Sequence, residues 1–315
     1  MDQYKLEDKG DKRILVIGNN RYETNYSKKI IELIIKRKGI DRISGYLTHK
    51  EKRAYFIEPL FKYLKKNGHG NLRVLEVGCS AGQFTELLNE QASISDIYSF
   101  DIDKTLAEIT ELKVKELGLN RVKRIDCFSL SQTTNLPYEN NFFDIIIVSG
   151  VIEHLPFENR YLYVDEYYRK LKIGGVICFV NTPNRNYPFE SHSIGLPFIS
   201  KLGPQAAFIY AKLFGKLEKV DFPEFVRVGT GWRNASYYEC LPRALTLEVS
   251  DISKEAGYGF EFFNEQKYGL KFSIFILPFL KLLNLAAKML NFPISFFLPE
   301  LNIVFKKIKD YESGL

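Results

Sequence analysis

Residues 72–82 read L-R-V-L-E-V-G-C-S-A-G, and no other stretch constrains the chain as strongly. Leu72, Val74, Leu75 and Val77 form a short apolar, β-branched run, the pattern of a strand buried in a parallel sheet. The run breaks at Gly78 into small residues, Cys79, Ser80, Ala81 and Gly82, which let a ligand approach the backbone. Phe84, Leu87 and Leu88 follow at helical spacing, so a helix opens directly after the turn. Its free N–H groups favour an electron-rich partner. The spacing therefore predicts strand, tight turn and helix, with a nucleotide-like ligand against Gly78, Cys79, Ser80 and Gly82.

A dinucleotide site would show G-x-G-x-x-G, with three glycines for a pyrophosphate. Here the pattern is E-x-G-x-S-x-G, from Glu76 through Gly78 and Ser80 to Gly82. An acid just before the turn repels a pyrophosphate and suits a cationic amino-acid end. This pattern resembles motif I of the class I S-adenosylmethionine (SAM)-dependent methyltransferases, with Ser80 where many members have Gly. The resemblance implies SAM as cofactor. A plain βα turn of another doubly wound protein is the alternative, to be weighed against the rest of the chain.

Residues 97–101, I-Y-S-F-D, make a second apolar strand ending in an acid. Asp101 lies about 25 residues past Glu76, close to the offset expected for a carboxylate that accepts ribose hydroxyls. Asp103 competes for that role but is also placed to cap the next helix, residues 104–117. Residues 121–127, R-V-K-R-I-D-C, read as a third strand. By resemblance, Asp126 stands where the family binds the adenine amino group, with Cys127 beside the ring; a surface acid in a loop is the equal alternative. Leu136-Pro137-Tyr138, then Phe142-Phe143-Asp144 and the run 145–149, resemble the same family, as does Leu171-Lys172-Ile173-Gly174-Gly175 with Ile173 in place of Pro. Ile102 and Ser149 join the cofactor set on the same resemblance. Residues 176–180 supply a fifth strand.

Strands alternating with helical stretches in this way give an α/β fold. The resemblance makes it a doubly wound, mostly parallel seven-stranded sheet, the Rossmann-like methyltransferase fold. Residues 1–70 read as an N-terminal helical lead-in, with helices over 27–38 and 50–66, and residues 13–20 (R-I-L-V-I-G-N-N) as a decoy of a first strand. In the family such lead-ins often cover the cofactor. Residues 71–183 form the SAM-binding core, and 184–245 a substrate-side insertion after strand 5, with Pro- and Asn-rich loops and a helix over 205–214. Residues 246–315 complete the fold. A helix is expected over 245–256, then an antiparallel strand pair, 259–263 with 302–305, that closes the family's sheet.

Residues 272–298 are very apolar but carry Lys281, Lys288, Pro278 and Pro293. No uninterrupted run reaches the roughly 20 residues of a spanning helix. A buried helical cap is the first reading, a peripheral contact with a membrane surface the second, and a span the last.

Methyl transfer to a hydroxyl needs alignment and removal of a proton. Glu153 and His154 follow the fourth strand, and His192 lies in the loop after the fifth, so two of only four histidines fall at strand ends on one face. G-V-I-E-H with a later T-P-N…H resembles the metal-assisted O-methyltransferases, including small-RNA 2′-O-methyltransferases, where an E-x-x-E-H segment binds a divalent ion. Gly150 stands where the first Glu belongs. Two readings stay open: a divalent metal ion held by Glu153, His154 and His192, or His154 or His192 as a catalytic general base without metal. A helix-start role is the plain alternative for Glu153.

Composition narrows the classes. Hydrophobic content of 45% and charged content of 26% are those of a globular protein. A net charge of +6 permits an acidic partner without demanding one, and no basic stripe or RNA-binding module is legible, which disfavours nucleic acid. Cys79, Cys127, Cys178 and Cys240 show no C-x-x-C pair and read as reduced, mostly buried thiols of a cytoplasmic protein, with the inner face of a membrane as a second location. With 19 Tyr and 25 Phe the chain suits a bulky acceptor: a small molecule such as a natural product, or a glycan or lipid-linked sugar, methylated on oxygen. An RNA 2′-O-methyltransferase and a non-catalytic SAM-binding protein are the alternatives; an NAD enzyme conflicts with Glu76.

Overall fold

The computed structural model describes residues 4–10, 12–190, 194–217, 220–228, 232–244, 247–260, 262 and 269–310. They fall into two compact units, Met1–Gln132 and Thr133–Leu315.

The first unit opens with strands, not helices. β1 (Lys5–Lys9), β2 (Lys12–Ile17) and β3 (Asn20–Thr24) form an antiparallel meander. This corrects the reading of residues 1–70 as a helical lead-in over their first part; residues 13–20 do form a strand, but in a separate three-stranded sheet, so they are not the first strand of the cofactor fold. Ile17 pairs with Asn20 across a two-residue turn, and Gly18 takes φ 57°, the positive value that a tight hairpin needs. Leu15 faces inward and is fully buried. Helices then follow as expected: α1 (Lys28–Lys38), α2 (Ile43–Leu47) and α3 (His49–Lys66). In α1, Ile30, Ile31 and Ile34 make one apolar face, packed with Leu15, Leu106 and Ile109.

β4 (Leu72–Val77), α4 (Gln83–Asn89), β5 (Ile94–Asp101), α5 (Lys104–Glu116) and β6 (Val122–Cys127) follow the predicted order. β4 pairs parallel with β5, and β5 with β6. Asp103 caps α5 as expected, accepting from Thr105 N and Leu106 N at 2.9 and 3.1 Å. A buried polar cluster ties the lead-in to this core: Glu86 accepts from Tyr26 Oη at 2.6 Å and from Lys113 Nζ at 2.8 Å. The Lys113 side chain is fully buried, and its Nζ lies 3.9 Å from the Tyr26 ring centroid.

In the second unit, β7 (Phe143–Ser149) pairs parallel with β8 (Leu171–Pro183), and α6 (Arg160–Lys170) joins them. Residues 171–175, expected as a turn, lie inside β8 as an irregularity: Phe143 faces Leu171 but Ile145 faces Val176. A Cβ at Gly175 would stand 2.8 Å from the Asp144 carbonyl, so only glycine fits there. β8 pairs antiparallel with β10 (Glu300–Asp310), which pairs antiparallel with β9 (Leu247–Asp251). β9 replaces the helix expected over 245–256. Its burial alternates, ieiei, the period of a half-buried edge strand, whereas the expected partner near 259 is a bend with a helical residue at Phe260. Strand order is β6-β5-β4-β7-β8-β10-β9, a seven-stranded, mostly parallel sheet. After β8, α7 (Pro204–Leu213) and α8 (Phe222–Val228) contribute to a local core around Ile199, Ala211, Phe225 and Trp232.

A helix runs over Gly269–Leu290 through Pro278. Phe279, Leu282, Leu285, Met289 and Leu290 are exposed, so at these positions the helix is not the buried cap expected over 272–298; the side chains of residues 272–277 and 280 lie outside the described ones. Among the described residues no helix is long and apolar enough to cross a membrane. All four cysteines are free; Cys79, Cys178 and Cys240 are buried and Cys127 is exposed, in line with mostly buried thiols.

Lys113→Met strands the Glu86 charge in the interior, which typically costs ~3–5 kcal/mol. Urea denaturation followed by circular dichroism checks this loss, and Glu86→Gln added to Lys113→Met is expected to recover part of it. A Lys113→Met variant as stable as the parent contradicts the pairing.

Candidate functional site

In the first unit the strand–turn–helix stretch has the expected shape. Gly78, Ser80 and Gly82 all take positive φ, 72°, 52° and 76°. Gly82 caps α4, and a Cβ there would come within 3.2 Å of Thr110, so the turn is closely backed by α5. Ser80 is the one non-glycine of the three. Its strained backbone is held by Asp101 Oδ2, which accepts from Ser80 N at 2.8 Å, while Asp101 Oδ1 accepts from Asp103 N at 2.9 Å. Asp101 is 8% exposed, and burial raises its pKa against the pull of those two N–H groups. Both oxygens keep lone pairs for a further donor. Ile102 beside it is exposed, a flat apolar surface next to a polar turn.

Glu76 lies deeper. Its Oε2 accepts from Thr85 Oγ1 at 2.6 Å and Ser99 Oγ at 2.8 Å, joining β4 to α4 and β5. Burial pushes its pKa up to about 7, opposed by these two bonds and by the charge of Arg53. Sequence reasoning missed Arg53. It comes from α3, with its guanidinium carbon 5.4 Å from the Phe84 ring centroid. Nothing in the local pattern of α3 marks it, because the partner lies in a different element. At the end of β6, Asp126 accepts from Arg124 Nε at 2.6 Å, and Cys127 is exposed.

The second unit carries the E-H segment. Ser149 ends β7, and its Oγ is buried without a hydrogen-bond partner. Gly150 takes φ 61°, and a Cβ there would lie 3.6 Å from both Asn181 Nδ2 and Glu153 Oε1. A glutamate at 150 would therefore be strained and pressed towards a second carboxylate. Glu153 sits in a short 3-10 turn, Ile152–His154, and caps nothing. It is 1% exposed, and neither carboxylate oxygen has a hydrogen-bond partner. Burial raises its pKa to about 7; Arg160 opposes that rise and Glu300 adds to it. His154 projects outward, 54% exposed, with Nε2 4.0 Å from Glu153 Oε1. Asn181 at φ 52° and Asn302, which accepts from Asn181 N at 3.0 Å, complete this end of β8 and β10. Asn181, Glu300 and Asn302 were not legible, since their proximity depends on a strand pairing across more than a hundred residues.

His192 lies outside the described residues, so its part in either the metal or the base reading rests on sequence. Among the described residues no three His, Cys, Asp or Glu side chains gather as metal ligands. Glu153 and His154 supply two donors at most.

A parallel sheet with a left-handed, carboxylate-backed turn at the end of its first buried strand defines a Rossmann-like nucleotide-cofactor protein. Residues 75–179 match the methyltransferase domain family. A demethylmenaquinone methyltransferase of Geobacillus sp. (strain WCH70) is 31% identical over 186 residues, 56% of this chain and 76% of that protein. The demethylmenaquinone methyltransferase of Anoxybacillus flavithermus is 26% identical over 217 residues, covering 67% and 87%. A ubiquinone biosynthesis O-methyltransferase of Histophilus somni is 26% identical over 160 residues, covering 50% and 65%. The chain belongs to the class I SAM-dependent methyltransferases.

The buried Glu153 gives a test independent of turnover. With a folded pKa of about 7 against the usual 4.5, the fold favours the protonated form. Stability from this group is thus present below pH ~4.5, falls as pH rises through ~7 and stays low above it. Glu153→Gln is expected to stabilise the chain at pH 8 relative to pH 4, by up to ~3 kcal/mol. Melting temperatures at the two pH values measure the difference; no pH dependence contradicts the burial of an uncompensated carboxylate.

Proposed function

We propose that the chain methylates a hydroxyl oxygen, with His154 as the proton acceptor and Glu153 as the carboxylate that positions and balances it. The carrying observation is the exposed His154 imidazole 4.0 Å from a buried carboxylate that has no hydrogen-bond partner among the described residues. A histidine backed by a carboxylate is suited to take a proton near neutral pH, and the charge of Glu153 favours the imidazolium that results.

The turn fits SAM. Gly78, Cys79, Ser80 and Gly82 would lie along it, Asp101 would accept the ribose hydroxyls, and Ile102, Asp126 and Cys127 would border the adenine. Arg53 offers a counter-charge for the amino-acid carboxylate, and Glu76 orders the turn from beneath. When bound, SAM supplies an electrophilic sulfonium methyl. The protein's own part is to hold the acceptor, remove its proton and exclude water.

The acceptor class we favour is a hydroxyl-bearing glycan, lipid-linked sugar or natural product. A quinol hydroxyl is the second reading, supported by the names of the relatives. RNA is disfavoured by charge. The exposed apolar side chains of the Gly269–Leu290 helix, flanked by exposed Lys281 and Lys288, support a peripheral membrane contact.

Asp101→Ala removes the acceptor of Ser80 N and the ribose-facing carboxylate, and is expected to weaken SAM binding at least about tenfold, or ~1.4 kcal/mol, by calorimetry. His154→Ala is expected to lower kcat by ~10²–10⁴ with SAM affinity unchanged. The readout is S-adenosylhomocysteine release with fractionated cell extract as acceptor, with the labelled methyl traced into lipid, glycan, RNA or small-molecule fractions. Full turnover by His154→Ala would remove the proposed base.

A further inference from the structure

Three guanidinium groups gather around one ring in the second unit. The Cζ atoms of Arg160, Arg185 and Arg233 lie 5.6, 5.1 and 3.9 Å from the centroid of Phe157. Two of them, Arg160 and Arg185, share one close carboxylate. Glu239 Oε2 accepts from Arg160 Nη1 at 3.1 Å, and Glu239 Oε1 from Arg185 Nη1 at 3.3 Å. The same Oε2 also accepts from Ser236 N at 2.8 Å and Ser236 Oγ at 3.0 Å, so Glu239 is fully engaged. Arg160 is 2% exposed and spends Nη2 on the carbonyls of Arg233 and Leu155.

Arg233 differs from both. Its Cζ lies 3.9 Å from the Phe157 centroid and 4.0 Å from that of Trp232. Among the described residues its guanidinium meets no carboxylate, and its Nε is buried without a hydrogen-bond partner. Two aromatic rings thus fix a planar donor group whose Nε has no acceptor among the described residues. Arg185 is 21% exposed, and Lys201 is exposed. Ser200 Oγ donates to the Arg185 carbonyl at 3.0 Å, which sets the next residue, Lys201, beside Arg185. Among the described residues these four cations, Arg160, Arg185, Lys201 and Arg233, are set against Glu239, the exposed Glu158 and the buried Glu153. Burial, and after it the charges of neighbouring cations with Arg185 common to all three, pull down the pKa of Arg160, Lys201 and Arg233. Crowded cations with too few acids are stable when an anion joins them, and a ring-stacked guanidinium is shaped for two oxygens of a phosphoryl group.

We propose that Arg233, Arg185 and Lys201 form a binding site for a phosphate or diphosphate group carried by the methyl acceptor. Arg160 underlies the site, holding Arg233 through its carbonyl. The charge of Arg160 also reaches Glu153, so the anion site and the proposed base share one neighbourhood. This rests on the reading of His154 as the base. It narrows the acceptor to a phosphorylated molecule and disfavours an uncharged quinol. The phosphoryl group has two sources, a soluble nucleotide-linked or phosphorylated sugar, or a lipid diphosphate. Phe198 and Leu202, exposed beside Lys201, are placed for a prenyl chain of the second.

Trp232 is the only tryptophan of the chain, so its fluorescence reports on this cluster alone. Titration of the full chain with inorganic pyrophosphate at low salt is expected to give a saturable fluorescence change, weakening as salt is added. By calorimetry, Lys201→Ala and Arg185→Lys are expected to weaken pyrophosphate binding severalfold, and Arg233→Ala at least about tenfold, with SAM affinity unchanged. Lys201→Ala is a surface change and keeps the test valid where Arg233→Ala fails to fold. Parallel titrations with uridine diphosphate and with farnesyl diphosphate in detergent separate the sources: the tighter of the two identifies which part of the acceptor lies next to the phosphoryl group. No saturable pyrophosphate binding, or equal binding by Lys201→Ala and Arg233→Ala, overturns the site. His154→Ala should bind pyrophosphate normally. Loss of pyrophosphate binding with a His154-dependent turnover intact therefore fails this inference alone, and the reverse result fails only the base.

Discussion

The hydrogen bonds of Glu76 are the interaction on which the cofactor turn depends. A carboxylate this deep is costly to ionise, and burial raises its pKa to about 7. Thr85 on α4 and Ser99 on β5 donate to the same oxygen, so one side chain at the end of β4 fixes the relation of three elements. Asp101 repeats the device one strand over, holding the left-handed Ser80 and the start of the following loop. Between them the turn from Gly78 to Gly82 is shaped before any ligand arrives, which reduces the ordering that binding must supply. The Glu86–Lys113–Tyr26 cluster extends the same polar scaffold to the lead-in, which delivers Arg53 towards Glu76.

The second unit uses charge differently. Glu153 is kept dry and short of partners, behind an imidazole that reaches solvent. A few residues on, Arg160 and Arg185 share Glu239, while Arg233 stacks on Phe157 and Trp232 without a carboxylate partner among the described residues. Both arrangements are unfavourable in isolation, because a buried charge without full compensation destabilises a fold. Strain of this kind concentrates where a chain meets its substrate. The proposed function and the proposed anion site draw on these two arrangements together, an exposed imidazole beside a buried carboxylate and a cluster of guanidinium groups around Phe157.

Local pattern made much of this legible. The parallel strands ending near Val77, Asp101, Ser149 and Val180 could be read from their apolar runs, whereas β6, with exposed Lys123 and Arg124, is placed by the resemblance. Asp103 could be read as a cap from its place before α5, and the Gly78–Gly82 turn from its small residues. The misses share a cause, which is pairing between distant segments. The β1–β3 meander was not legible as a sheet of its own, because β2 shows its register only beside β1 and β3. The run that became β9 was taken for a helix, since its pairing with β10 crosses more than fifty residues. Of the site, Glu76, Asp101, Glu153 and His154 were visible as motif positions. Arg53, Asn181, Glu300, Asn302 and the arginines around Phe157 were not, since each is functional only through a neighbour that folding supplies.

The account stands or falls on what the Gly78–Gly82 turn accepts. Titration calorimetry of the full chain with SAM and, side by side, with NAD tests this most directly. Saturable binding of SAM at one site per chain, with no heat from NAD, is the result the carboxylate-backed turn predicts. Saturable binding of NAD without binding of SAM would contradict it.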